Sequence, residues 1–163
     1  MQKYLWTSFL KEMEIMDSTN SEGTTSENWR RYDAELKFYE QIKEDILQEA
    51  EKAGISPRQE LKLELGIEEI AVNIITYAYE SPGYIWIRTY SDGVNFRIEF
   101  VDHGKLFDPL AQTMKHGDIP TDDQDEGGYG IFLVKKNFPS IIYRQEKLFG
   151  ETANHLIMEL PLS

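Results

Sequence analysis

Residues 57–79 are the stretch that most restricts how this chain can fold. On a helical repeat, Leu61, Leu65, Val72, Ile75 and Tyr79 mark one apolar face, and Leu63, Ile67, Ile70, Ile74 and Ala78 mark another. A helix apolar nearly all round must be covered by neighbouring elements. Its limits are written locally. Ser56 is suited to the N-cap and Pro57 to the first helical position, with Glu60 one residue past capping-box spacing, and Ser81-Pro82-Gly83 ends the run. Upstream, Leu36, Tyr39, Ile42, Ile46, Leu47 and Ala50 recur at helical period, and Gly54 stands where a C-cap belongs. Trp29 to about Glu35 reads as a short strand.

Downstream the apolar period shortens to two. Residues 84–90 and 94–102 read as strands joined by the hairpin signal Asp92-Gly93, with Val94, Phe96, Ile98 and Phe100 on one face. Residues 105–126, with Pro, Gly and many acids, read as a long loop, a length that inside a compact domain usually serves function or is disordered. A short helix over 129–137 follows, stopped by Asn137 and Pro139. Strands over 140–145 and 154–160 are joined around 147–150. The order β-α-α-β-β-loop-α-β-β predicts a two-layer α/β sandwich: one mixed sheet with its helices on one face.

The chain has 163 residues, enough for one domain that folds without staples. It has no Cys, which excludes disulfides and thiolate metal sites. Seventeen Lys and Arg against 29 Asp and Glu give a net charge of -12. Such a surface repels nucleic acid and anionic lipid, so direct binding to either is not expected. It suits a basic protein partner, and equally it serves solubility alone. No stretch reaches the roughly 18 to 20 apolar residues that span a bilayer, and residues 1–16 lack the apolar core and cleavage site of a signal peptide. The expected location is cytoplasmic. Residues 17–28 are small and polar and read as a linker, so the division expected is an extension over 1–28 and a domain over 29–163. Within the extension, Tyr4, Leu5, Trp6, Phe9, Leu10 and Met13 suit an amphipathic helix, a swapped arm or a partner-binding segment.

Three short segments carry chemistry. In Glu69-Ile-Ala-Val-Asn73 the two polar residues project from one helical face, one turn apart. An amide oxygen is a hard ligand suited to Mg²⁺, and a carboxylate beside it could deprotonate an attacking hydroxyl. A solvated helix edge explains the same pair. Asp102-His103-Gly104 ends a strand, where the carboxylate could accept a hydrogen bond from the exocyclic amine of adenine and Gly104 would let backbone approach the base. An ordinary turn explains that segment too. Gly127, Gly128 and Gly130 open a helix, and bare backbone amides at a helix N-terminus suit a polyphosphate. A hinge is the alternative. The run is neither a Walker A motif nor a dinucleotide fingerprint. The three together point to ATP.

In this order the segments resemble the boxes of the Bergerat-fold (GHKL-type) ATPases, most closely the small anti-sigma factors with serine-protein kinase activity. Glu69-Ile-Ala-Val-Asn73-Ile-Ile-Thr-Tyr-Ala-Tyr79 is similar to that family's Glu-x-x-x-Asn-x-x-x-His-Ala-Tyr. Asp102-His-Gly-Lys-Leu-Phe-Asp-Pro109 is similar to Asp-x-Gly-x-Gly-Phe-Asp-Pro, and Gly127-Gly-Tyr-Gly-Ile-Phe-Leu-Val134 to Gly-Gly-Leu-Gly-Ile-Phe-Leu-Ile. Asn154-His-Leu-Ile-Met158 resembles the closing Asn-x-Leu-x-Met. The resemblance implies that Asn73 ligates Mg²⁺, Glu69 acts as base, and Asp102 binds the adenine amine with Asn154 helping through water. It further implies that Gly128 and Gly130 hold phosphate and that residues 108–127 form a lid. It implies a sigma factor and an anti-anti-sigma protein as partners, and a possible homodimer. Tyr77 replaces the first box's His, Leu106 replaces a Gly of the second, and the lid is acidic.

Overall fold

The computed structural model describes residues 28–111 and 126–163, with residues 126–129 described by backbone only. Five strands form one sheet: β1 (Arg30–Asp33), β2 (Tyr84–Ser91), β3 (Asn95–Asp102), β4 (Ser140–Leu148) and β5 (Glu151–Pro161), in the order β1-β2-β3-β5-β4. Three α-helices accompany it: α1 (Tyr39–Lys52), α2 (Pro57–Asn73) and α3 (Glu126–Asn137).

Every neighbouring pair in the sheet is antiparallel, where the sequence reading expects a mixed sheet. The connections explain the difference. Two helices separate β1 from β2, so the chain returns antiparallel to its start. One helix separates β3 from β4, so these two run the same way, but β5 folds back between them as a hairpin and removes the parallel contact.

The hairpins follow their turn residues. Between β2 and β3, Gly93 has φ +85° and the Asp92 carboxylate accepts from the Val94 and Asn95 amides at 2.8 and 2.7 Å. Val94 sits in this turn and is exposed, so it does not continue the face of Phe96, Ile98 and Phe100. Between β4 and β5, Phe149 and Gly150 both have positive φ (53° and 87°), the combination a two-residue hairpin turn requires.

The helix boundaries are equally local. α1 ends in a double-bonded cap: Gly54 N–H donates to Glu51 O (2.9 Å), Ile55 N–H donates to Ala50 O (3.1 Å), and Gly54 takes φ +85°. Ser56 Oγ accepts from the Gln59 amide at 3.4 Å and Pro57 opens α2.

The core lies between the helices and one sheet face. Ile42, Ile46, Leu63, Ile67 and Ile70 pack against Ile85, Ile98, Phe100, Met158 and Leu160, with Val134 from α3 and Phe138 just after it. Only one of the two expected faces of α2 is buried; Leu61, on the other, is 70 % exposed. The sheet's second face carries an aromatic group (Trp29, Trp86, Phe149) and a run of charged side chains.

Candidate functional site

The α-helix of α2 stops at Asn73, and residues Ile74–Ala78 continue as one wider π-helical turn where the sequence reading extends an α-helix to about Tyr79. Such turns recur at functional sites because they release backbone groups from the helical ladder. Here the Ala78 carbonyl accepts from the Lys105 amide at 2.8 Å. Gly104 packs so tightly on the Ala78 backbone that a side chain at 104 would overlap it. Tyr79 closes the joint: its hydroxyl donates to Tyr84 O (2.5 Å) and accepts from the His103 amide (2.8 Å). The end of α2 and the end of β3 are thus one rigid corner, with Asn73 on one side and Asp102 on the other.

Asp102 is 4 % exposed. Its Oδ1 accepts from the Gly104 amide and from Asn154 Nδ2, both at 2.9 Å, and its Oδ2 has no partner among the described residues. Burial pushes the carboxyl up, and the two donors only partly oppose this. Asp102 and Asn154 are direct cross-strand partners, as are Asn154 and Gln145. The side chain of Asn154 is fully engaged. Nδ2 also donates to Lys105 O (3.0 Å), while Oδ1 accepts from the Phe107 amide (3.1 Å) and from the Tyr143 hydroxyl (2.5 Å). Tyr143 in turn accepts from Gln145 Nε2 at 3.0 Å.

Glu69 and Asn73 share a face of α2, as the spacing predicts. Asn73 makes no side-chain hydrogen bond among the described residues and is half-buried, which leaves its amide oxygen free as a ligand. The Glu69 carboxylate lies against Gly130 of α3, and any Cβ at 130 would collide with it. Burial, with Glu68 adding to it, raises the Glu69 carboxyl above the usual carboxylate range. Gly127 and Gly128 fall inside the first turn of α3, which begins at Glu126 and so three residues earlier than the sequence reading has it. The glycines therefore sit in the turn whose amides lack helical acceptors, and not in a loop ahead of it.

Residues 112–125, which hold most of the expected lid and its acids, lie outside the described residues, as do residues 1–27. The lid's first residues are fixed: Asp108 Oδ1 accepts from the Leu110 amide (2.8 Å), and Lys135 Nζ of α3 donates to Leu110 O (2.7 Å). Leu106 and Phe107 are about half exposed beside them.

A purine with an amino group fits this site. One oxygen of the Asp102 carboxylate has no partner among the described residues, and Gly130 of α3 lies against Glu69, one turn before Asn73 on α2. Sequence reasoning missed Tyr79, Tyr143, Gln145 and the Ala78 carbonyl. Tyr143 and Gln145 were within reach, since both alternate with Ile141 on the core face of β4; the register that sets them beside Asn154 was not.

The family profile of the histidine kinase-like ATPase domain matches residues 33–160, nearly the whole of the described fold. The chain belongs to that family, the GHKL-type ATPases, which supports ATP binding by this domain. No curated protein matches the chain.

Proposed function

We propose that this protein is an anti-sigma regulatory factor that uses ATP and Mg²⁺ to phosphorylate a serine or threonine of an anti-anti-sigma partner, and that it also sequesters a sigma factor. The observation that carries the catalytic half is the placing of Glu69: half-buried, without a hydrogen bond among the described residues, one turn before Asn73 and seated on the glycine of α3. The resemblance of the four boxes carries the regulatory half, and the net charge of -12 favours a basic partner.

In this reading Asp102 Oδ2 accepts from the adenine amine, Asn73 Oδ1 ligates Mg²⁺, and the first-turn amides of α3, bared by Gly127 and Gly128, hold phosphate. When bound, ATP supplies the transferable phosphoryl group and Mg²⁺ the positive charge that offsets the phosphates. Glu69 takes the proton of the serine hydroxyl on its carboxylate; its raised pKa makes it a stronger base than an exposed glutamate.

A second reading is a nucleotide-switched binding module without turnover. It is favoured by Leu106, a half-exposed side chain where the family's box has glycine, and by the acidic sequence of residues 118–126. Incubation with labelled ATP and candidate partners separates the two. Phosphoserine that forms with the wild type and vanishes with Glu69→Ala, while ATP affinity stays within about threefold, supports the kinase. Nucleotide-dependent partner binding with no label transferred selects the module. Asn73→Ala is expected to lower Mg-ATP affinity itself, measurable by calorimetry.

A further inference from the structure

Among the described residues, Asn154 is the only side chain that hydrogen-bonds the Asp102 carboxylate, and its orientation decides what that carboxylate can be. An asparagine amide can present either its N–H₂ or its oxygen. Presented as N–H₂, it stabilises an ionised Asp102, which then offers Oδ2 purely as an acceptor. Presented as oxygen, it faces a carboxylate and drives Asp102 toward its protonated form, which offers an O–H donor instead. An ionised Asp102 pairs with an exocyclic amine. A protonated one pairs with the carbonyl that hypoxanthine and guanine carry at the same position.

One acceptor and two donors fix the choice: the Lys105 carbonyl takes a hydrogen bond from Asn154 Nδ2 at 3.0 Å, and two groups donate to Oδ1. The Phe107 amide and the Tyr143 hydroxyl both point at Asn154 Oδ1, at 3.1 and 2.5 Å. The Phe107 amide is backbone from the loop that follows β3. The Tyr143 hydroxyl comes from a strand of the sheet. Its own acceptor site is filled by Gln145 Nε2 at 3.0 Å, so its proton is committed to Asn154.

We infer that Tyr143 is a positioning residue for purine selectivity: by holding the Asn154 amide with N–H₂ toward Asp102, it keeps the carboxylate an acceptor and so selects a 6-amino over a 6-oxo purine. This rests on the reading of Asp102 as the adenine contact. It assigns Tyr143 no contact with nucleotide and no part in phosphoryl transfer. Gln145 is the outer member of the same chain.

The test is calorimetric binding of ADP and IDP, with magnesium, to the full chain and to Tyr143→Phe. Loss of one hydrogen bond to a buried amide is expected to cost ADP roughly five- to tenfold in affinity, while IDP is unchanged or improved, so the ADP:IDP ratio falls at least fivefold. The ratio is also expected to become steeper with pH in the variant, because ionisation of Asp102 is no longer supported from Asn154; a loss of packing alone would weaken both ligands equally at every pH. Asn154→Asp provides the second arm. It sets a second carboxylate against Asp102, favours a shared proton, and should lower the ADP:IDP ratio further. A Tyr143→Phe chain with wild-type ratio and pH profile overturns the inference, as does an equal loss for both ligands. If the wild type itself binds neither nucleotide, the reading of Asp102 fails first and the inference with it. A variant that does not fold by circular dichroism leaves Gln145→Ala to report, expected in the same direction at about half the size.

Discussion

At the scale of the residue, two glycines are required by what stands opposite them. Gly104 meets the Ala78 backbone and Gly130 meets the Glu69 carboxylate, and in both places a methyl group has no room. Gly130→Ala must displace Glu69, move α3, or both, and strain of that kind costs about 1–3 kcal/mol. The expected outcome is a lower urea midpoint together with loss of any phosphotransfer, because Glu69, the proposed base, is moved from its seat. Gly150→Ala, with φ +87° but open space around it, should cost about 1 kcal/mol in stability and leave the site untouched. Comparing the two by denaturation and nucleotide titration separates close approach from backbone strain. Sequence reading singles out the glycine, the acid and the amide here, because chemistry of that kind is tied to residue type. It assigned Gly104 to a close approach to the base, whereas the structure sets it against a backbone some 26 residues upstream in the chain, a contact no local pattern encodes.

At the scale of the element, caps and turns were legible and registers were not. Ser56, Pro57, Gly54 and Asp92-Gly93 each act within a few residues of themselves, so their effect can be read from the string. The π-helical turn after Asn73 has no such signature; the pull that makes it comes from the Lys105 amide and the Tyr79 clamp across the fold. The β4–β5 turn shows the same division. Phe149 is a poor residue for φ 53°, yet it stands there because its ring stacks on Trp86 (centroids 4.8 Å, interplanar angle 10°) and meets Trp29 edge-on at 5.5 Å. An aromatic pair contributes about 0.5–1.5 kcal/mol beyond its buried area, which offsets the cost of the left-handed backbone. Phe149→Asn relieves the backbone but removes the stack. Net destabilisation is expected, with a red-shifted tryptophan emission as Trp86 gains water. A variant as stable as the wild type would show that the turn, and not the ring, sets the hairpin.

At the scale of the whole molecule, the sheet separates two kinds of chemistry. The helix-covered face holds the core and the candidate nucleotide site; the other holds a chain of buried charges. Glu99, 2 % exposed, accepts from Arg88 (2.9 Å) and from His155 Nε2 (2.8 Å), and His155 Nδ1 donates to Glu146 at 2.5 Å. Both imidazole nitrogens face carboxylates, an arrangement that favours the doubly protonated ring. Burial works against the His155 charge, but the bonds to Glu146 and Glu99 outweigh it and raise its pKa above the ordinary 6.5. Burial likewise opposes ionisation of Glu99, and the bonds from His155 and Arg88 prevail and hold it below 4.5; for Glu146 the His155 bond is the largest influence, in the same direction. The sign follows from each shift. A raised histidine stabilises the fold below its unfolded pKa of 6.5 and loses that contribution as pH rises through its folded value. Lowered carboxylates stabilise above 4.5 and lose theirs as pH falls through their folded values. The two windows overlap between about pH 4.5 and 6.5, so this network should favour the fold most on the acidic side of neutrality, which is also where the net charge of -12 begins to relax. His155→Gln keeps a donor but removes the charge. The urea midpoint of the wild type is expected to fall from pH 6 to pH 9 more than that of the variant, and the difference between the two curves should close above the folded histidine pKa. Parallel curves across that range would mean that His155 is neutral in the fold and that the two carboxylates are balanced by Arg88 alone.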